Sequence, residues 1–257
     1  MPGPDVAWGR AEIGGRTATV QRVGDEVGTA SGERHAIAAV KLLPPVMPQN
    51  FYAAGLNYRS HIEWANGHLG THYAVPTQSD IGSRSPSALV GSGAEIVIPA
   101  DAPGPVEYEG ELVAVIGRRA RSLDEADALG CVAGYTLGND VSERSWQRSD
   151  RTLWRAKNCD SFKPMGPFVV PGLDPMAQTI EVRVNGRVVS RYETRAMIFP
   201  LAHIIARLSR YATLHRGDVI WLGCDGPTLP ALQPGDLVEV ASDPIGVLAN
   251  RVVRARD

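Results

Sequence analysis

Cysteine is almost missing from this chain: 257 residues contain three, Cys131, Cys159 and Cys224. They are odd in number, far apart and in no CxxC spacing, which excludes a disulfide framework and a thiolate zinc centre and leaves them as small buried hydrophobes. Long apolar runs are missing too. No stretch approaches the ~20 uninterrupted apolar residues that cross a bilayer, and the first residues, "MPGPDVAWGR", lack a basic start followed by an apolar core. A cytoplasmic protein with no membrane partner is expected. Charge is balanced rather than one-sided, with 26 Lys and Arg against 28 Asp and Glu and no block of either sign, so nucleic acid is not expected as a partner either. Internal repeats and low-complexity linkers are absent. A small molecule is the partner that remains.

What is present is a core-forming composition. Hydrophobic residues make up 44% of the chain, enough for one large domain, or a large domain with a small appendage. The texture changes near residue 45. "RTATVQRV" between Gly-rich turns reads as hairpin strands of a small N-terminal β unit, residues 1–45, and "LLPPVMPQN" reads as a stiff connector because proline fixes φ and disfavours helix before it. Residues 46–257 form the main domain. There "NFYAAGL", "ELVAVIGR", "VAGYTLGND", "FVVPG", "TIEVRVNGRVVSR", "DVIWLG" and "DLVEVAS" are rich in β-branched and apolar residues and bounded by Gly, Pro, Asp or Asn. Asn185-Gly186 supplies the two positive-φ positions of a type I′ hairpin turn. Helices are sparse. "SLDEADALG" carries a capping box of Ser122 and Glu125 and stops at Gly130. "FPLAHIIARLSRYATL" opens with Pro200 in the first turn and sets Leu201, Ile204, Ile205 and Leu208 on one face. A third helix follows "GND" through "VSERSWQRSD". The pattern predicts an α+β fold, a mostly β body with a few peripheral helices.

One segment demands chemistry. In "VEYEGELVAVIG" (106–117), strand alternation sends Glu107, Glu109 and Glu111 to one side, beside an apolar run. Asp140 ends "GYTLGND", and if the third helix starts there, Arg144 and Gln147 share its face at i+4 and i+7. Should the two strand ends be neighbours, carboxylates converge, and unbalanced like charges in a partly buried site are costly. A divalent cation removes the conflict. Oxygen-only ligation suits Mg²⁺ first, with Mn²⁺ or Ca²⁺ as alternatives. Glu107 is expected to be a solvated acid. His61, His68 and His72 are not read as a zinc site, because Gly67 and Gly70 break the helix that would align them; the segment is read as a Gly-rich lid. Trp146 and Trp154 are read as core or dimer contacts.

Six motifs, "GLNYRSH" (55–61), "YEGELVAVIG" (108–117), "VAGYTLGNDVSERSWQ" (132–147), "AKNCDSFKPMGPFVV" (156–170), "MIFPLAHIIARLS" (197–209) and "GDVIW" (217–221), occur in the order and spacing of the fumarylacetoacetate hydrolase family, which the chain resembles from about residue 50 onward. The resemblance implies a mixed β-roll, a homodimer, Mg²⁺ on Glu109, Glu111 and Asp140, and active-site roles for Arg144, Gln147 and Lys157. It also implies small 2-oxo acid substrates carrying a second carbonyl, such as acylpyruvates. Residues 46–257 would then be the catalytic domain. The expected reaction is hydrolysis of a C–C bond through a metal-bound enolate, with His61 as base. Isomerisation, tautomerisation or decarboxylation of 2-oxo diacids at the same metal site is the alternative, and a non-catalytic oxo-acid binder a third. Two departures matter. Many relatives place a Glu three residues after the His; here that position is Trp64, and the nearest acid is Glu63. Where relatives continue Thr-Gly-Thr-Pro, this chain has Leu222 and Cys224 in the two Thr places, with Thr228 or backbone N–H groups near Gly226 as replacements.

Overall fold

The computed structural model describes residues 6–226 and 230–256. Strands dominate, and the five α-helices among the described residues lie at the periphery. Two large sheets enclose the main core. In the larger, the strand Gly110–Ile116 runs between Val132–Asn139 and Val219–Trp221, antiparallel to both, and Val219–Trp221 pairs in parallel with Phe51–Gly55. The smaller sheet has the order Arg187–Glu193, Thr179–Val184, Leu237–Ser242, Gly246–Arg254 and Glu95–Ile98, the last pair parallel. Antiparallel and parallel pairings in one body make this a mixed β-roll.

The apolar run explains the centre. All seven residues of Gly110–Ile116 are buried. Period-two alternation splits them between Leu112, Ala114 and Ile116, which join the core shared with the smaller sheet, and Val113 and Val115, which pack with Phe51, Met165, Val169 and Trp221. Close approach then demands small residues. A Cβ on Gly110 would lie 2.5 Å from Val182 of the facing sheet, and one on Gly138 would lie 2.5 Å from the Trp221 ring. The helix Leu201–Tyr211 buries Leu201, Ile204, Ile205 and Leu208 as its periodicity predicts, each contributing about 1.5–3 kcal/mol. Its Pro200 is the N-cap residue rather than part of the first turn.

The N-terminal strands Trp8–Ile13, Arg16–Val23, Glu26–Thr29 and Arg34–Ala36 form a meander that continues the larger sheet: Trp8 pairs with Val169, and Arg10–Glu12 with Lys41–Leu43. Phe168 fills the small core of this meander with Ala11, Val20, Val27 and Leu42. Asn185 and Gly186 have φ of 52° and 77° and turn the expected hairpin. The capping box at Ser122 does not form. Ser122 itself takes φ 52°, and the helix starts only at Glu125 after Asp124, because the Ser122 and Leu123 N–H groups bond to Ser209 instead.

Candidate metal and substrate site

The antiparallel register of Gly110–Ile116 with Val132–Asn139 sets Gly110 opposite Asn139 and so brings the two strand ends together. The Asp140 N–H donates to the Glu109 carbonyl at 2.8 Å, and the Asn139 side-chain oxygen accepts the Glu109 N–H at 3.1 Å. Ligand oxygens of Glu109, Glu111 and Asp140 consequently lie within 4.8 Å of one another, all three side chains buried. An all-oxygen set of this size and depth fits a hard divalent cation.

Local structure around this trio differs from the sequence reading in three ways. The short strand Val106–Glu107 ends before Glu109, so the three glutamates do not share one strand face. Glu107 is buried, not solvated: its carboxylate accepts a 2.6 Å bond from the Arg144 guanidinium. Asp140 does not sit on the third helix. After Asp140 the chain makes the bridge Ser142–Glu143 with Val106–Glu107, and the helix spans Arg144–Ser149, with the Glu143 side chain capping the Trp146 N–H. Arg144 and Gln147 are still joined, at i and i+3, by a 2.6 Å hydrogen bond.

Four cations interleave with the acids. Arg144 reaches Glu109 at 2.7 Å as well as Glu107. Lys157, buried on the short helix Trp154–Asn158, bridges Glu109 at 2.8 Å and Asp140 at 2.9 Å. Sequence reasoning missed the other two. Arg84 pairs with Asp140 at 2.9 Å, and Lys163 at 2.7 Å. Lys163 also donates to the Val141 and Phe162 carbonyls. A lone lysine inside the apolar "SFKPMGPF" was the available signal for Lys163; "GSRSPS" reads as an ordinary loop and carries none for Arg84.

The electrostatics follow from burial and neighbours. Burial favours the neutral acids, but Lys157 and Arg144 hold Glu109 well below the usual carboxylate range, and Arg84, Lys157 and Lys163 do the same for Asp140. Glu111 goes the other way. Burial, then the charges of Asp140 and Glu109, push it well above its ordinary value despite a 2.8 Å bond from the Gly223 N–H. Burial pulls Lys163 down to about 7, with Asp140 opposing.

A cavity of about 480 Å³ opens onto the trio, lined also by His61, Trp64, Tyr73, Arg144, Lys157 and Cys224 among others. His61 lies in the first turn of the helix Arg59–Leu69, and its Nδ1 is 3.3 Å from the Cys224 carbonyl oxygen. That contact assigns the ring proton to Nδ1 and leaves Nε2 with a free lone pair. Burial lowers the His61 pKa; Glu109 raises it, and Arg144 and Lys157 lower it further. Glu63 is exposed and outside the cavity lining, so it does not partner His61; the Trp64 ring stands edge-on to the imidazole, 6.1 Å between centroids. The two-residue offset has turned Glu63 to another face of the helix, as a 3.6-residue period requires.

The helix runs through Gly67 and ends at Gly70, φ 65°, so Gly67 does not break it. Asn66 then ties down the following turn by bonds with Thr71 and Tyr73, whose side chains reach the cavity, while His72 is exposed. The His68 side chain lies outside the described residues, as does Thr228. Leu222 is fully buried core; Cys224 lines the cavity. In this loop the Gly223 N–H donates to Glu111, while the Gly226 backbone N–H serves the Cys224 thiol. Trp146 is buried under Arg155, and Trp154 is 66% exposed.

Residues 50–253 match the fumarylacetoacetate (FAA) hydrolase C-terminal family. The chain belongs to this family. Among its relatives, an oxaloacetate tautomerase of Bacillus subtilis is 32% identical over 240 residues, 89% of this chain and 77% of that one. A 5-carboxymethyl-2-hydroxymuconate delta-isomerase from Mycobacterium smegmatis superposes with a TM-score of 0.86 at 34% identity, covering 98% of this chain and all of the other. A maleylpyruvate hydrolase from Sphingobium, solved with manganese(II) and pyruvate, shares the fold at 23% identity and a TM-score of 0.81, covering 97% and 100%. Family membership makes the chain one of a group of hydrolases, isomerases and tautomerases. No helix among the described residues is long and apolar enough to cross a membrane.

Proposed function

We propose that this protein is a metal-assisted tautomerase or isomerase that moves a proton between carbon and oxygen of a 2-oxo diacid. Glu109, Glu111 and Asp140 would hold the metal, Mg²⁺ by preference for a hard cation among carboxylates, Mn²⁺ serving equally in an oxygen site. When bound, the cation supplies Lewis-acid polarisation of the carbonyl that it chelates. The observation that carries the reading is the charge balance of the site. Glu107, Glu109, Glu111 and Asp140 face Arg84, Arg144, Lys157 and Lys163, four side chains against four, so a divalent cation leaves two positive charges for a dianion to neutralise while Lys163 is protonated, and one once it is neutral above about pH 7.

The chain's own residues then perform the proton transfer. His61, neutral through burial and oriented by the Cys224 carbonyl, takes a proton from the carbon next to the carbonyl through Nε2. The electron pair of that C–H bond becomes a C=C π bond as the carbonyl π pair moves onto oxygen. Arg144 and Lys157 hold fixed positive charge beside the enolate that results, and the proton returns to oxygen in the enol or to a different carbon in an isomer. C–C hydrolysis asks for more, a water held and activated against the same imidazole, and the side chain expected to support it, Glu63, points away from the cavity. The relatives above 30% identity named as tautomerase and isomerase support the lighter chemistry.

The test is NMR of Mg²⁺-loaded protein with oxaloacetate and with acetylpyruvate in D₂O. Rapid enzyme-dependent deuterium incorporation at C3 of oxaloacetate, with acetylpyruvate left uncleaved, is expected. Cleavage of acetylpyruvate outpacing exchange in oxaloacetate would return the protein to the hydrolases.

A further inference from the structure

The charges lining the cavity are not equally committed. Arg84, Arg144 and Lys157 each already hold a buried carboxylate. His61 is neutral. Asp80, exposed, carries the wrong sign for an acid, and its carboxylate lies against Gly55, where a Cβ would be 3.3 Å from Oδ2. Arg148 is different: it lines the same cavity, is exposed, and among the described residues makes no hydrogen bond or ion pair. It follows Arg144 by four residues in the helix Arg144–Ser149. That spacing keeps both guanidinium groups on one side of the helix, the second about 6 Å further along the axis.

We propose that Arg148 receives the carboxylate of the substrate remote from its 2-oxo head and so sets the preference for diacids over monoacids. This rests on the reading of the site as one for 2-oxo acids. A guanidinium suits the task because it grips a carboxylate through two parallel N–H bonds and stays charged at every relevant pH. Trp64, Tyr73 and Leu153 line the same cavity and offer the connecting carbons apolar surface. The buried cluster fixes the reacting end, and Arg148 measures whether the other end is charged. Arg148 is accordingly a specificity residue, remote from the proton that moves.

Calorimetry on the Mg²⁺-loaded protein tests this with two ligands that cannot react, N-oxalylglycine, which carries the second carboxylate, and oxamate, which lacks it. The wild type is expected to bind N-oxalylglycine more tightly. Arg148→Gln should lower the ratio of the two affinities about tenfold, the scale of one charge-assisted hydrogen-bonded pair near the surface, and Arg148→Lys should restore part of it. An unchanged ratio, or equal weakening of both ligands, overturns the assignment. Because the readout is binding, it separates from the reaction. A normal Arg148-dependent ratio without deuterium exchange in oxaloacetate would remove the tautomerase and leave Arg148 its role, whereas exchange with a ratio indifferent to Arg148 would do the reverse.

Discussion

Loading the carboxylate trio with a divalent cation is expected to release close to one proton per ion at neutral pH, and Glu111 is the source. Its neighbours Glu109 and Asp140 are held ionised by Lys157, Arg144, Arg84 and Lys163, whereas Glu111, with no ion pair among the described residues, has the Gly223 N–H and the more distant Lys157 and Arg84 on its side. With ligand oxygens within 4.8 Å and an effective dielectric of about 20, each ionised neighbour makes a further charge about 3–4 kcal/mol more costly, a few hundredfold in acidity. Burial acts in the same direction. The metal-free trio therefore carries one proton and the loaded trio none, since a ligand carboxylate must be ionised. Titrating Mg²⁺ or Mn²⁺ into the protein at one pH, in buffers of different ionisation enthalpy, counts the protons released. Affinity should also rise about tenfold per pH unit until Glu111 ionises unaided. Glu111→Gln should bind the ion more weakly and release nothing. A wild type that takes up metal with no proton release and a pH-independent affinity would show that Glu111 is already ionised, and the electrostatic account of the site would fail.

Other perturbations probe the rest of the framework. His61→Gln should reduce turnover about 10²–10⁴-fold, the usual contribution of a positioned base; in the wild type the acid limb of the rate profile should have its midpoint below 6.5, since burial lowers the His61 pKa from that value, and a midpoint above it would contradict the assignment. Lys163 should make stability rise with pH between about 7 and its ordinary 10.5: in that window the unfolded chain keeps a proton that the folded one has lost. Denaturant titrations of Lys163→Met should lack this slope, and parallel curves for the two proteins would refute it. Gly138→Ala inserts a methyl 2.5 Å from the Trp221 ring and should destabilise the fold by about 1–3 kcal/mol, read as a lower denaturation midpoint at unchanged slope.

Local rules carried the sequence reading where the structure is local. The Asn185-Gly186 turn, the apolar face of Leu201–Tyr211 and the buried run Gly110–Ile116 each depend on residues within a dozen positions, and each is where it was expected. The approach of Glu109, Glu111 and Asp140 is not local. It was reached by asking what would offset converging acids, supported by the family pattern, and strand pairing does bring them together. The misses share one cause. Whether a charge is buried depends on a partner far along the chain, as with Arg84 and Asp140, 56 residues apart, or Glu107 and Arg144, 37 apart. Asp140 was assigned to a helix because the intervening bridge Ser142–Glu143 forms by pairing with the distant Val106–Glu107. Ser122 failed as a cap because Ser209, from another helix, competes for the same backbone.

The segment from Leu222 to Cys224 holds its polar partners largely through its main chain. The Gly223 amide holds Glu111, the Cys224 carbonyl holds His61, and the Leu222 carbonyl takes the Asn57 side chain. Peptide groups are the same whatever residue bears them, so selection can trade the side chains here for new tastes in substrate while leaving the base and the acid in place. Leu222 and Cys224 stand here without loosening Glu111 or His61, because neither of those two bonds is made by their side chains.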